Sequence, residues 1–323
     1  MEKCLVTKLN GSSNNSNLLR IGEMRIKFNK VSNPTAITQC VIIKVSRVTK
    51  LEIIGDGYFT DSSLAQNKGK NLTITASTNN EVYVSNSDIE LAILDKYAIM
   101  NISVKANYNG NVSFDIDSLK YSTPLTTLYL TNMPVYGDIS ALKDLTALTI
   151  LGGNNTQISG DIAALKDLTA LTILDLAFTQ LSGDISALKN LTNLNTLRFT
   201  NTNVSGDIIN LKNLTKVTSM EFKNVTGLTG DMGTLPDNIL FFTGGSGKFT
   251  WTTSSRAYIL ATEKVHCDKI DDMLNDMATK TAKFAGEQTW HKRIELFGAR
   301  TSASDAAIQT LQSKGYTVSI TLA

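Results

Sequence analysis

Residues 168–190 read LTALTILDLAFTQLSGDISALKN; residues 145–167 before them read LTALTILGGNNTQISGDIAALKD, and residues 191–213 after them read LTNLNTLRFTNTNVSGDIINLKN. A chain that writes nearly the same 23 residues three times stacks copies of one small unit, because a single unit of that size cannot bury its own apolar face. Repetition is then the means of building a core.

The glycines set the register. Gly137, Gly160, Gly183 and Gly206 are 23 apart, and Gly230 follows after 24. One period back from Asp138, Ile139 and Leu142, the residues Asp115, Ile116 and Leu119 fit the same pattern, so a degenerate first copy is expected to begin near Ile102. Within the clearest copy, Leu174 and Leu176 are one residue apart and point to the same face of a strand. The other leucines and Ile185 line the return path, and Gly183 is expected to permit a turn that a side chain would obstruct. The SALKN-type segments are too short for α-helix and predict 3₁₀ turns or irregular arcs.

The skeleton LxxLxLxxTxLxGxI resembles a leucine-rich repeat, and its SGDI segment is similar to the SGxI of the plant-type subclass. The resemblance covers about 102–249 and implies an α/β solenoid. One departure stands out. The family usually has Asn where this chain has Thr156, Thr179, Thr202 and, by the same reading, Thr226, so the buried amide ladder becomes a shorter hydroxyl ladder.

Length and composition allow more than one domain: 323 residues, 42% of them apolar. Three regions are expected: a β-rich anchoring module over 1–98, repeats over 99–250 and an α/β cap over 251–323. In the first, LLRIGEMRIKFNKV and TQCVIIKVSRVTKLEII are rich in β-branched residues, and NLTITASTNNEVYVSNSDIEL reads as a hairpin about Asn79-Asn80. In the last, Ile270, Met273, Leu274, Met277 and Ala278 share one helical face with Asp268 as candidate N-cap, and the strand RIELFGA follows. Next, SASDAAIQTLQSKG places Ser302 and Asp305 in a capping box and Gly315 at the C-terminal stop, ahead of a final strand YTVSITL.

Charge is balanced overall at +2 but unevenly placed, with nine Lys or Arg against two Glu in residues 1–50. That module is either a docking surface for an acidic partner or a set of solvated strand faces. The cations are dispersed, and no nucleic-acid partner is expected. No apolar run of eighteen residues is present, so no membrane span is expected. MEKCLVTKLNGSSNNSN has no apolar stretch of the kind a secretory signal requires. The three cysteines, Cys4, Cys40 and Cys267, are far apart and predict no disulfide framework.

ARTSASDAAIQTLQSKGYTVSI, with the repeats before it, is similar to leucine-rich repeat proteins of gut Bacteroidetes and of their (crAss-like) phages. The opening KCLVTKLNGSSNNSNLLRIGEMRIKF is similar to openings of short structural proteins in such phages. This resemblance implies a virion component, a head or tail fibre or decoration, held by its N-terminal module to other virion proteins. It also implies a homo-oligomer, with a trimer among its forms. The alternative is a bacterial intracellular protein-protein interaction module in the cytoplasm.

Candidate chemistry is thin. GGSGKF, residues 244–249, lacks a phosphate loop's first glycine, since Phe242 occupies that place, and lacks its hydroxyl, since Phe249 occupies that one. His266 and Cys267 are adjacent on an expected strand and so point apart, which leaves Cys267 a structural thiol. With two histidines, no cysteine cluster and no calcium loop, neither a metal nor a cofactor is expected. The column Asp138, Asp161, Asp184, Asp207 and Asp231 is expected to cap backbone N–H groups rather than hold cations. An enzyme is therefore not expected.

What remains is a surface. Beside the buried leucines, three columns face outward on the concave sheet: Tyr129, Gly152, Asp175, Arg198 and Glu221; then Thr131, Asn154, Ala177, Thr200 and Lys223; then Asn132, Asn155, Phe178, Asn201 and Asn224. Tyr129, Asp175, Phe178, Arg198, Glu221 and Lys223 are the candidate binding residues. Aromatic rings beside amides suit a cell-surface glycan or a protein ligand, whereas alternating charges on neighbouring strands equally suit a solvated sheet.

Overall fold

The computed structural model describes ten strands between residues 24 and 113 and, apart from 246, 255, 256 and 283–291, residues 115–322. Each 23-residue copy forms one coil: a short strand, a tight turn, a second strand ending in Ser-Gly-Asp, and a 3₁₀ helix. The strands Thr127–Tyr129, Ile150–Gly152, Ile173–Asp175, Thr196–Arg198 and Ser219–Glu221 pair parallel and in register, Leu151 beside Leu174 and Leu174 beside Leu197. Ile99–Val104 joins the same sheet with Ile102 beside Leu128, so the first copy begins where the pattern placed it.

The alternation of the strand sends Leu151, Leu174, Leu197, Met220 and Phe242 inward, where each is fully buried. Burying such a side chain contributes about 1.5–3 kcal/mol, and the leucines and isoleucines of the return path join the same core. Toward the C-terminal end the column turns aromatic. Phe199 stacks on Phe222 with centroids 6.4 Å apart, and Phe242 meets Phe249 edge-on at 5.3 Å.

The 3₁₀ helices Ile139–Leu142, Ile162–Leu165, Ile185–Leu188 and Ile208–Leu211 replace proper helices on the return path, as their length requires. Each is capped by the aspartate of its own SGD: the Asp161 carboxylate accepts from Ala163 N–H at 2.8 Å, and Asp184 accepts from Ser186 N–H at 2.7 Å. The glycine before each aspartate has a φ between 107° and 121°, which only glycine adopts without strain. A Cβ on Gly160 would also lie 2.8 Å from the Asp138 carboxylate of the preceding coil. Conformation and close approach together exclude any side chain there.

The Gly-Asp segments of five coils, with Lys248–Thr250 after them, form a second parallel sheet of six strands that begins at Tyr136–Asp138. Glycine and aspartate are poor strand formers, which is why the sequence reads this segment only as a return path.

Thr156, Thr179 and Thr202 are buried and donate to the carbonyls of Gly153, Leu176 and Phe199 at 2.6–2.7 Å. The expected fourth member is corrected: Thr226 is exposed, and Val225 takes the buried place. The extra residue of the 24-residue spacing falls between Val225 and Gly230, so counting back from that glycine overshoots by one. A second hydroxyl ladder does cross between coils, Thr172 Oγ1 donating to the Thr149 carbonyl and Thr149 Oγ1 to that of Thr126, each at 2.9 Å.

The large sheet extends beyond the repeats in both directions. Thr38–Val45 pairs antiparallel with Ile99–Val104, and Asn80–Val84 pairs antiparallel with Thr38–Val45. A separate five-stranded antiparallel sheet contains Asn71–Ile74. The hairpin expected about Asn79-Asn80 is thus not formed: its two arms pair with different strands, Asn71–Ile74 with Thr49–Gly55 and Asn80–Val84 with Thr38–Val45. Residues 1–23, which hold Cys4 and all but the last five residues of the opening similar to phage proteins, lie outside the described residues.

At the other end Ala261–His266, Arg293–Phe297 and Thr317–Thr321 continue the sheet in parallel. They alternate with α1 (Ile270–Ala278) and α2 (Asp305–Ser313), and Ile270, Met273, Leu274 and Met277 of α1 are buried as their spacing predicts. Both expected caps are corrected. Lys269, not Asp268, precedes α1 and makes no side-chain cap. Thr301, not Ser302, caps the 3₁₀ turn that leads into α2 by accepting from Ala303 N–H, while Asp305 pairs with Arg300. Thr301 is itself held by Asp271 of α1, whose carboxylate accepts from Thr301 N–H and Oγ1 and from Ser304 Oγ. Such a long-range partner is invisible to a local cap pattern. Gly315, at φ 85°, ends α2 as expected.

Candidate binding surface

The parallel register places Tyr129, Gly152, Asp175, Arg198 and Glu221 side by side across the concave sheet, and Thr243 and Glu263 extend the row. A shallow pocket of ≈ 480 Å³ lies on this face, within the range of about 300–1,000 Å³ usual for ligand sites. Asp175, Phe178, Arg198, Glu221 and Lys223 line it together with Asn154, Ala177, Thr200, Phe241, Thr243 and Glu263. Tyr129 stands outside the pocket, at the far end of the same row.

The charges of the pocket satisfy one another. Arg198 Nε lies 2.8 Å from Glu221 Oε1, and its Nη1 lies 3.5 Å from Asp175 Oδ2. Partial burial alone would lower the Arg198 pKa, but the hydrogen bond and charge of Glu221, followed by the charge of Asp175, outweigh it and raise it above its ordinary value. Lys223 Nζ lies 3.7 Å from Glu263 Oε1. These pairs are partly exposed, so each contributes less than about 1 kcal/mol; their effect is to hold side chains in place.

Phe178 is the anomaly. Asn132, Asn155, Asn201 and Asn224 lie in the turns after their strands at φ 55–64°, a left-handed conformation that asparagine tolerates. Asn155 donates to Asn132 at 2.9 Å, and Asn224 donates to Asn201 at 2.8 Å. Phe178 occupies the middle of that column at φ 56°, interrupts the ladder, and leaves its ring 51% exposed.

Tyr129 is 45% exposed, and its ring packs close over Gly152: a Cβ there would sit 2.8 Å from Tyr129 Cδ2 and 2.9 Å from Cε2. The missing side chain of Gly152 makes room for that ring.

The fold is a leucine-rich repeat solenoid. No protein-family profile matches the chain, and no curated protein does. Among solved structures it is similar to the leucine-rich repeat ectodomain of the receptor kinase SOBIR1 from Arabidopsis thaliana, with 22% identity over 48% of this chain and 78% of that one and a TM-score of 0.36. It is also similar to internalin C2 from Listeria monocytogenes, with 18% identity, 71% and 85% coverage and a TM-score of 0.32. A third similarity is to the Arabidopsis HAESA ectodomain, solved with an IDA peptide hormone ligand, with 21% identity, 58% and 33% coverage and a TM-score of 0.42. The chain thus spans about a third of the HAESA ectodomain.

Elsewhere the leucine-rich repeat and its flanks use their reactive groups for structure. Cys267 is a buried free thiol whose pKa burial pushes up to about 11, so it is not a nucleophile near neutral pH. The His266 ring stacks on Phe297 at 5.0 Å, and its Nδ1 lies 3.0 Å from the Gly245 carbonyl. In GGSGKF the buried Phe249 ring packs against Gly244 and Gly247, where a Cβ would come within 2.5 and 2.7 Å of it, so these glycines make room for a ring. The aspartate column caps 3₁₀ helices, and among the described residues no group of three or more His, Cys, Asp or Glu is placed to hold a metal. No helix among them is long and apolar enough to cross a membrane.

Sequence reasoning missed Thr243, Glu263 and Phe241, because past Glu221 the spacing changes to 22 and then 20 residues. The apolar pairs Phe241-Phe242 and Leu260-Ala261 mark those strands. It also missed Asp276, a buried carboxylate that accepts from Trp251 Nε1 at 3.2 Å and Ser254 Oγ at 3.1 Å and pairs with Lys280 at 3.1 Å, pinning α1 to the preceding loop.

Proposed function

We propose that this chain is a non-enzymatic recognition protein that holds its partner on the concave face around Phe178, and that it serves in a phage particle as a head or tail fibre or decoration. The observation that carries the first half is Phe178 itself, a half-exposed aromatic in a left-handed conformation where the neighbouring coils have asparagine. Backbone strain beneath an exposed ring costs stability, and such strain concentrates at sites that bind.

The second half is supported by sequence alone, through the likeness of ARTSASDAAIQTLQSKGYTVSI and the repeats to phage proteins. In this reading the basic first fifty residues dock on other virion proteins, the repeats face a host surface, and the protein assembles as a homo-oligomer. Its place is the virion, and the competing place is the bacterial cytoplasm.

The test is quantitative mass spectrometry of density-purified particles from the source culture. A constant ratio to the capsid subunit is expected. Absence from particles, with the chain in the soluble cell fraction, overturns the virion reading in favour of an intracellular interaction module. For the concave face, Phe178→Ala is expected to retain its fold and to lose retention on cells of that culture; equal retention of both proteins sinks it.

A further inference from the structure

We infer that the concave pocket takes an uncharged glycan, stacked by its apolar ring face on Phe178 and extending along the sheet toward Tyr129. The inference rests on the concave-face reading above and names the chemistry of its ligand.

The pocket's cations are engaged by its own carboxylates. Arg198 is held by Asp175 and Glu221, and Lys223 by Glu263. Three carboxylates against two cations leave about one negative charge, so an anionic ligand such as a phosphate or a sulfated chain would be repelled and would find no free cation. A charged peptide side chain would have to break a pair that is already made.

An open aromatic face remains, with neutral hydrogen-bonding groups beside it. Phe178 offers its ring, Ala177 next to it is buried and small and forms a floor, and Asn154 and Thr200 flank that floor on the neighbouring coils. The paired carboxylates keep lone pairs that can accept from hydroxyl groups. A sugar ring has the matching surface: an apolar C–H face that covers an aromatic ring, and an edge of hydroxyls that donate and accept.

Tyr129 supplies a second exposed ring. It lies on Gly152, two strands from Asp175, or about 10 Å across the sheet. Phe178 lies three residues beyond Asp175, so the two rings stand farther apart than that, and together they suit a ligand longer than a single sugar unit.

The test exposes the full chain to an array of uncharged oligosaccharides of hexoses, N-acetylhexosamines and fucose, with sialylated and sulfated counterparts and a library of extended peptides on the same slide. Wild type, Phe178→Asn, Tyr129→Ala and Lys189→Ala are compared, and Phe178→Asn suits the local backbone and so keeps the fold intact. Retention on uncharged glycans is expected, weakened about tenfold or more by Phe178→Asn, less by Tyr129→Ala, and unchanged by Lys189→Ala, which lies on the return path. Retention on peptides alone, lost in Phe178→Asn, overturns the glycan and leaves the concave face standing. Glycan retention that Phe178→Asn does not change overturns both. Retention only on acidic glycans, or on no glycan at all, overturns the proposal.

Discussion

Gly183→Ala isolates the interaction that recurs in every coil. The substitution places a Cβ at φ 112°, a region that only glycine occupies readily, which costs about 1–3 kcal/mol. The same Cβ would overlap Asp161 Oδ1 and lie 2.9 Å from its Cγ, driving the carboxylate off the Ala163 N–H it caps at 2.8 Å. Losing a cap costs about 0.5–2 kcal/mol, so the total is about 1.5–5 kcal/mol. Two controls separate the contributions. Gly315→Ala has a left-handed φ of 85° but its nearest neighbour is a Lys292 side chain at 3.8 Å, so it bears only the backbone cost, about 1 kcal/mol. Asp161→Ala removes the cap and the obstacle together, so combined with Gly183→Ala it should cost about 1 kcal/mol less than the two single changes added. The assay is urea unfolding followed by far-ultraviolet circular dichroism. A Gly183→Ala cost below about 1 kcal/mol, or a double variant that is additive within about 0.3–0.5 kcal/mol, would refute the account of the SGD column.

The remaining predictions concern single sites. Phe178→Asn and Phe178→Ala remove the same half-exposed ring, but asparagine tolerates the left-handed backbone and can rejoin the Asn155 and Asn201 ladder; the Asn variant should be about 1–2 kcal/mol more stable than the Ala variant, and equal melting would count against strain at this site. Asp276→Ala should cost about 3–5 kcal/mol, because it strips partners from Trp251 and Ser254 and leaves the nearly buried Lys280 ammonium unpaired; hydrogen exchange in α1 no faster than wild type would contradict this. Cys267 should resist iodoacetamide at pH 8 in the folded protein, and prompt labelling there would contradict its burial. Because its folded pKa lies above its ordinary 9.0, its contribution to stability is present below pH 9 and declines as pH rises toward 11.

The solenoid was legible because each coil repeats its constraint. Gly137, Gly160, Gly183, Gly206 and Gly230 marked the turns, Leu174 and its equivalents marked the strands, and the register of the concave columns followed by counting. Counting failed where the period slipped: Val225 displaced Thr226, and the strands after Glu221 fell outside the columns. Pattern reading also failed where the partner is distant. No local rule pairs Asn80–Val84 with Thr38–Val45, or gives Asp271 to Thr301 across thirty residues. Those pairings depend on which edge or donor the folded chain brings near, which loop-closure and packing decide together. The candidate site was legible as positions but not as conformation at Phe178, since a phenylalanine gives no sign of the left-handed backbone that its asparagine neighbours favour.

That hidden conformation is what separates a binding face from a solvated one. In a repeated chain, a position under structural constraint shows the same residue type in each copy, and one without constraint varies freely. The SGD glycines do not vary, and the inward strand column changes only among apolar residues. The row Tyr129, Gly152, Asp175, Arg198 and Glu221 varies in size and sign, which a solvated surface permits as readily as a site does. Phe178 differs from both. Its position is constrained, because a left-handed turn position with a ladder partner on each side favours asparagine, and four of five coils obey. The departure runs against the local preference and gains little burial in exchange, since half the ring stays in solvent. A substitution that lowers stability and leaves an apolar surface exposed needs a partner to offset it. The proposed binding site therefore rests on the departure from local preference at Phe178 rather than on the diversity of the row beside it.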